Sequence, residues 1–564
     1  MIRATTGALA VVCAAWAAVG CARGAEDDSV GPTTAPDSGA GGNHQSVGGS
    51  GGTSPGNGGL GGSGGSAGNP GAGGGSGGVG GSPQATGGSG GTPPPGIQQG
   101  TSTVDEEMIP PEPVYDDTGA IYVSTAGNDT AGDGSMNAPL RTIAQALSVG
   151  GAGALIVLRG TPYLGAGANV YVGEARIRNP GVTLRSATGE WAVIQCGTDS
   201  SAPGSCVDFD VDASDGKLQR VEVIGGFYYG VAFETKWDWG EPDRSGASRV
   251  LVEDCKIHGT GRDAVKVKPG CDDIVIRRTE IYNSGAGYAA GATDKNAEGI
   301  DNVNGDRMVV QDSYIHDTAT NGIYFKGGAT DCVIERNRVE RTGGGGILSG
   351  FDTSPEYFDL GTNPGYYESI RGILRNNLVT DTAGDGIGMY AAKDPLIFNN
   401  TVVNTASAFH SPLYFGITFQ DWDSTAARPP TVNPTLANNV VVQPTAAAIV
   451  GIRWSSELGG LSGLDGSPDM NHNLYSCTAG ACTFDDSRPT TPLDNGSFSQ
   501  WQQHIANEGN SLTANPALDA TGHLGSGSPC IDAGRTVPQV KLDIDRQPRN
   551  GVYDLGADEV VSSP

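Results

Sequence analysis

Three short segments place acids, lysines and a tyrosine at matching positions around an apolar residue: Asp263-Ala264-Val265-Lys266-Val267-Lys268, Glu298-Gly299-Ile300-Asp301 and Asn321-Gly322-Ile323-Tyr324-Phe325-Lys326. If Val265, Ile300 and Ile323 face a core, strand alternation turns Lys266, Asp301 and Tyr324 outward in one row. Lys268 and Lys326 then face outward in the next row, while Asp263, Glu298 and Asn321 line the preceding turn. Strands stacked about 4.8 Å apart would gather these side chains into one patch. Asp263, Glu298 and Asp301 are oxygen ligands of the kind a hard cation takes, and Ca²⁺ is the expected cofactor. Such an ion neutralises a uronate carboxylate and acidifies the neighbouring carbon-bound hydrogen. One of the lysines Lys266, Lys268 and Lys326 would remove that proton once nearby positive charge lowers its pKa. The expected reaction is β-elimination on an acidic, uronate-containing polysaccharide, with Tyr324, Trp237 and Trp239 as sugar contacts. A plainer use of the same residues is ordinary turn chemistry for Asp before Gly, with solvated lysines. His258 and His316 share one coil position and are expected to be surface residues.

The elements that would carry this patch show in a repeat. Val252, Ile276, Val310, Ile334, Leu374, Ile397 and Leu436 each lead to a small polar residue three positions on and an apolar residue two beyond that. Their separations are 24, 34, 24, 40, 23 and 39 residues, a period of about 24 interrupted by insertions. Short alternating strands broken by Gly, Asn and Asp cannot stand alone, so successive turns must stack and share a core. A period in the low twenties predicts an all-β, right-handed parallel β-helix with three strands per coil, since a propeller blade needs about 40 residues. The column Asn337, Asn377, Asn400 and Asn439 reads as an inward amide ladder. Insertions at Gly285–Lys295 and Thr353–Ser369 fall beside the patch and could wall a groove.

The first hundred residues are of another kind. A basic start and an apolar run from about Ala8 to Val19, too short to span a bilayer, have the layout of an export signal. Ala18-Val19-Gly20-Cys21 resembles the lipobox of bacterial lipoproteins, which implies lipidation of Cys21, and Ala22 after it implies the outer membrane and cell surface of a Gram-negative bacterium. Gly, Ser and Pro then dominate, as in Gly58-Gly59-Leu60-Gly61-Gly62-Ser63, and cannot bury a core, so a disordered tether is expected. The expected parts are 1–21 signal, 22–111 tether, 112–455 β-helix, and 456–564 C-terminal coils and cap. A net charge of −28 argues against nucleic acid as a partner and is compatible with cations. The chain is expected to act as a monomer, held to the membrane only by its lipid. Excluding Cys13 and Cys21, eight cysteines remain, and Cys477–Cys482 and Cys196–Cys206 are the best local pairs.

Ile121-Tyr122-Val123-Ser124 with Pro139-Leu140-Arg141-Thr142-Ile143-Ala144 resembles the entry of surface β-helix proteins related to pectate lyases, where a helix near Thr142–Ser148 caps the open end. The tail, with Phe498, Trp501 and Ile505 on one helical face and Tyr553-Asp554-Leu555-Gly556-Ala557 after it, resembles the same group. Gly322-Ile323-Tyr324-Phe325-Lys326-Gly327 is similar to the strand that carries the base in polysaccharide lyase family nine. That resemblance implies Lys326 as base and Asp263, Glu298 and Asp301 as Ca²⁺ ligands. Ala297 departs from the family, which has an acid there. Two other functions compete: a noncatalytic carbohydrate-binding or adhesion module, and, last, a glycoside hydrolase, which needs paired carboxylates at a set separation.

Overall fold

The computed structural model describes residues 115–162, 169–237, 243–286, 296–418 and 428–560. The signal segment, Cys21, the tether, Trp239 and most of the 285–295 insertion lie outside the described residues. Within them the chain winds through three long sheets of 12, 13 and 12 strands, parallel except at the ends. One coil shows the order: Leu251–Glu253 in the first sheet, Lys256–His258 in the second, Val265–Val267 in the third, then Val275–Arg277 back in the first. Each strand is three to five residues long in most coils, too little to bury an apolar face by itself. Stacking in register supplies the rest, as Ile257 lies on Ile281, Ile281 on Ile315 and Ile315 on Val339, all fully buried.

The bend between the first and second sheets is one residue in the left-handed region. Asp254, Arg278, Asp312, Arg336, Asn376, Asn399 and Asn438 hold φ between 48° and 61° there. Asp and Asn tolerate this region better than other side chains. The arginines among them are held by acids one coil back, Arg278 by Asp254 at 2.7 Å and Arg336 by Asp312 at 2.9 Å. The next residue points inward and builds the ladder. Asn337 Nδ2 donates to Asn377 Oδ1 at 3.1 Å, Asn377 to Asn400 at 2.9 Å, and Asn400 to Asn439 at 3.1 Å. The ladder runs one coil beyond the four asparagines expected, to Asn473 at 3.0 Å.

Helix α1 (Ile143–Gly150), capped by the Thr142 side chain, packs Ile143 and Ala146 against the first coils. Helix α2 (Phe498–Ile505) starts in a Ser497–Gln500 capping box and buries Trp501 on Phe484 at the far end. After α2 the chain returns along the outside of the solenoid. Thr521 accepts from Arg338, Asp554 accepts from Asn399, and Arg546 pairs with Asp312. Cys196–Cys206 and Cys477–Cys482 are disulfides, while Cys255, Cys271, Cys332 and Cys530 are buried thiols. Among the described residues no helix is long and apolar enough to cross a membrane.

Candidate functional site

Register in the third sheet decides which side chains meet. Val265 pairs with Ile300 and Ile300 with Ile323, so Lys266, Asp301 and Tyr324 stand in one outward row. Lys326 pairs with Val303 in the next. The row faces away from the solenoid core yet is not solvated: Asp301 and Tyr324 are fully buried and Lys266 is 5% exposed. Asp263, Glu298 and Asp301 offer carboxylate oxygens that all lie within 4.8 Å of one another. Lys266 Nζ sits among them, 2.5 Å from Asp301 Oδ2 and 3.8 Å from Asp263 Oδ2.

Hydrogen bonding leaves this cluster incomplete. Glu298 Oε1 accepts from Thr320 at 2.8 Å and Asn321 at 3.2 Å, and Asp263 Oδ1 accepts from the Glu298 amide at 3.0 Å. Asp263 Oδ2, Glu298 Oε2 and Asp301 Oδ1 are buried without a hydrogen bond. Burial, then the charges of Glu298 and Asp301, push the Asp263 carboxyl well above the usual carboxylate range. Burial, then Asp301, Glu298 and Asp263, likewise raise the Tyr324 hydroxyl, which places it in the field of the three acids. Three acids share one ammonium in a buried space, and uncompensated negative charge there is costly. The donors are all hard oxygens, so the residues present fit a divalent cation such as Ca²⁺.

The other lysines stand apart from this cluster. Lys326 Nζ lies over the Tyr324 ring, 4.6 Å from its centroid, and donates to the Asp352 carbonyl at 2.8 Å. Lys268 is held by both oxygens of Glu234 at 2.9 Å. Glu234 in turn helps to raise Asp208, which burial and that neighbouring charge push up to about 8. Trp237, expected as a sugar contact, is instead buried under the 353–369 insertion: its indole N–H donates to Glu356 O at 3.1 Å, and Arg244 covers its ring. That insertion is pinned by Glu368, which accepts from Arg428 at 2.9 Å and from the Gly327 amide at 2.9 Å, so its wall stands beside Lys326. His258 and His316, expected as surface residues, are ring-stacked on either side of Tyr282, at 4.3 and 5.1 Å.

Sequence reasoning passed over Asp385. It occupies the turn position of Asp263 and Glu298, three coils beyond Glu298, and its backbone continues the same ladder through Gly346 N to Asp385 O. The signal was its place in the same column before Gly386-Ile387. Its partner His410 comes from the following coil and carried no such signal.

The family model described as the right handed beta helix region matches residues 243–425. The fold is a right-handed parallel β-helix. No curated protein matches the chain in sequence. Similar solved structures include a pectate lyase, Pel9A, at 14% identity over 78% of this chain and 96% of that one, TM-score 0.42. XylC in complex with xylose is 10% identical over 78% of this chain and 98% of that one, TM-score 0.49. The A-module of the Azotobacter vinelandii mannuronan C-5 epimerase AlgE4 is 14% identical over 59% and 89%, TM-score 0.41. Likeness at these identities concerns the backbone, and the chemistry rests on this chain's own residues.

Proposed function

We propose that the protein is a cation-assisted polysaccharide lyase that cleaves a uronate-containing chain laid across the coils of the third sheet. The observation that carries the reading is the buried trio Asp263, Glu298 and Asp301, with oxygens left unbonded around a single lysine. A bound divalent cation would neutralise the substrate carboxylate and acidify its C5 hydrogen. Asp263, Glu298 and Asp301 would hold that cation, and Tyr324 closes the cluster on its neighbouring coil. Lys326 accepts the C5 proton on Nζ, the electron pair forms the C4–C5 double bond, and the C4–O bond breaks with the oxygen taking a proton from solvent. Asp352 and the 353–369 wall position that lysine.

The test is the ultraviolet absorbance of the unsaturated sugar end, with pectate, alginate and glycosaminoglycans, in Ca²⁺ and in chelator. A rise that needs the cation and drops by about a hundredfold or more in Lys326→Ala supports the lyase. The near-complete burial of Lys326 favours a second reading, a noncatalytic carbohydrate-binding module. Polymer binding with no absorbance change on any substrate would select it. We further propose export, lipidation at Cys21 and a flexible tether that sets the domain out from the cell surface; loss of palmitate labelling in Cys21→Ser is the expected check.

A further inference from the structure

The third sheet carries a second constellation on the same outer face, two to four coils and about 10–19 Å beyond Lys326. Asp385 is 2% exposed, and its Oδ1 accepts from His410 Nδ1 at 2.9 Å and from the Tyr390 hydroxyl at 3.2 Å. That bond places the Nδ1 proton on His410 and turns Nε2 away from the carboxylate. The imidazole lies flat on Tyr414, 4.1 Å between centroids and 11° between planes, and Phe409 stands edge-on to it. The neighbouring coil leaves space for this pair: a Cβ at Gly451 would stand 3.2 Å from the Tyr414 ring and 2.6 Å from Ser411 Oγ.

Arg453 follows Gly451 on that coil and lies against Tyr414. Burial raises the Tyr414 hydroxyl to about 12 while the Arg453 guanidinium pulls the other way. Many arginines of the solenoid meet acids, as Arg278, Arg336, Arg371 and Arg488 do, while Arg338 donates to a carbonyl and Arg220 covers a Tyr115 ring. Among the described residues Arg453 is ion-paired with no carboxylate, although it is half-buried in a chain of charge −28. A flat aromatic pair, an outward imidazole nitrogen and an arginine without an acid match a pyranose ring that bears a carboxylate.

We propose that His410, Tyr414 and Arg453 form a distal subsite for one uronate unit of the polymer, oriented by Asp385. It rests on the substrate class proposed above and adds the path of the chain, from Lys326 toward the C-terminal coils. The unit's carboxylate meets the Arg453 guanidinium, its ring lies along the His410–Tyr414 pair, and a hydroxyl reaches His410 Nε2. A chain of several units reaches both places, and a short one reaches only the first.

The experiment is calorimetric titration of the mature full-length chain, in a Lys326→Ala background that prevents turnover, with hexagalacturonate and trigalacturonate. Arg453→Gln is expected to weaken the hexamer roughly tenfold, the worth of one charge-assisted hydrogen bond, and to leave the trimer unchanged. Arg453→Lys should recover part of the loss, and His410→Ala supplies a second variant should Arg453→Gln not fold by circular dichroism. Equal hexamer affinity in parent and Arg453→Gln, or equal losses for hexamer and trimer, overturns the subsite. Hexamer binding that depends on Arg453, with no unsaturated product from the chain that keeps Lys326, would reject the elimination and keep the subsite.

Discussion

The second and third sheets belong to the same coils, and their outer faces treat charge in opposite ways. On the second, Glu222 meets His258 at 2.9 Å, Lys256 meets Glu280 at 2.7 Å, and Asp317 meets Arg341 at 2.8 Å and His316 at 2.6 Å. The His316 and Lys256 contacts hold Glu280 at about 2, and Arg341 with His316 holds Asp317 there as well. On the third face, burial and neighbouring acids push Asp208 up to about 8 and Asp263 well above its usual range. Both faces repeat at coil spacing, so repetition alone does not distinguish scaffold from site. What differs is compensation: the acids of the second face sit beside cations, while on the third buried acids outnumber the lysines among them, as the proposed cation site requires.

Several changes would break or sharpen this contrast. The largest effect is expected from Lys266→Met, which strips the carboxylate trio of its ammonium. In chelator the variant should lose about 3 kcal/mol or more against chemical denaturation, and Ca²⁺ should bind it more tightly than the parent by calorimetry. Weaker binding would mean that Lys266 is not the occupant a cation must displace. Next, Asp263→Asn with Asp301→Asn should abolish the stabilisation that a cation at about a hundred times its Kd gives the parent, close to 2.7 kcal/mol.

The faces should also part in their pH dependence. Asp208 and Asp263 have raised folded-state pKa values, so their contribution is present below about pH 4 and is lost as pH rises, for Asp208 through about 8. Asp208→Asn should flatten the stability curve over that window. Glu280 and Asp317 are depressed, so their contribution is present above about pH 4.5 and lost as pH falls toward 2. The smallest effect is expected from Arg341→Ala: no more than about 1 kcal/mol at neutral pH, because the pair is largely exposed, and less at pH 2. A pH-independent loss would show that packing of the arginine, rather than its charge, supports the second face.

Much of this architecture is legible before any coordinates. The spacing of Val252, Ile276, Val310 and Ile334 implies stacked coils, because a strand of three residues can be stable only against an identical neighbour. The asparagine column and the apolar face of α2 follow from local pattern in the same way, while α1 after Thr142 is implied by the resemblance of the entry segment, and the two disulfides are the best local cysteine pairs of a connectivity that the sequence leaves open. So does the outward row Lys266, Asp301 and Tyr324, since alternation and register are periodic properties. The environment of that row does not follow. Alternation says that Lys266 points outward, yet not that it is buried among three acids while Lys326 turns to the Asp352 carbonyl. Trp237 shows the same limit, since only the return of the 353–369 insertion over it decides that it packs protein. Asp385 and His410 meet across consecutive coils, and Arg453 reaches Tyr414 from a third. The sequence by itself determined the coil, its inward and outward faces and the residues available for chemistry, because these depend on local periodicity. Which of them share a charge, a proton or a ring was decided only by tertiary structure, because insertions and burial set those distances and no period records them.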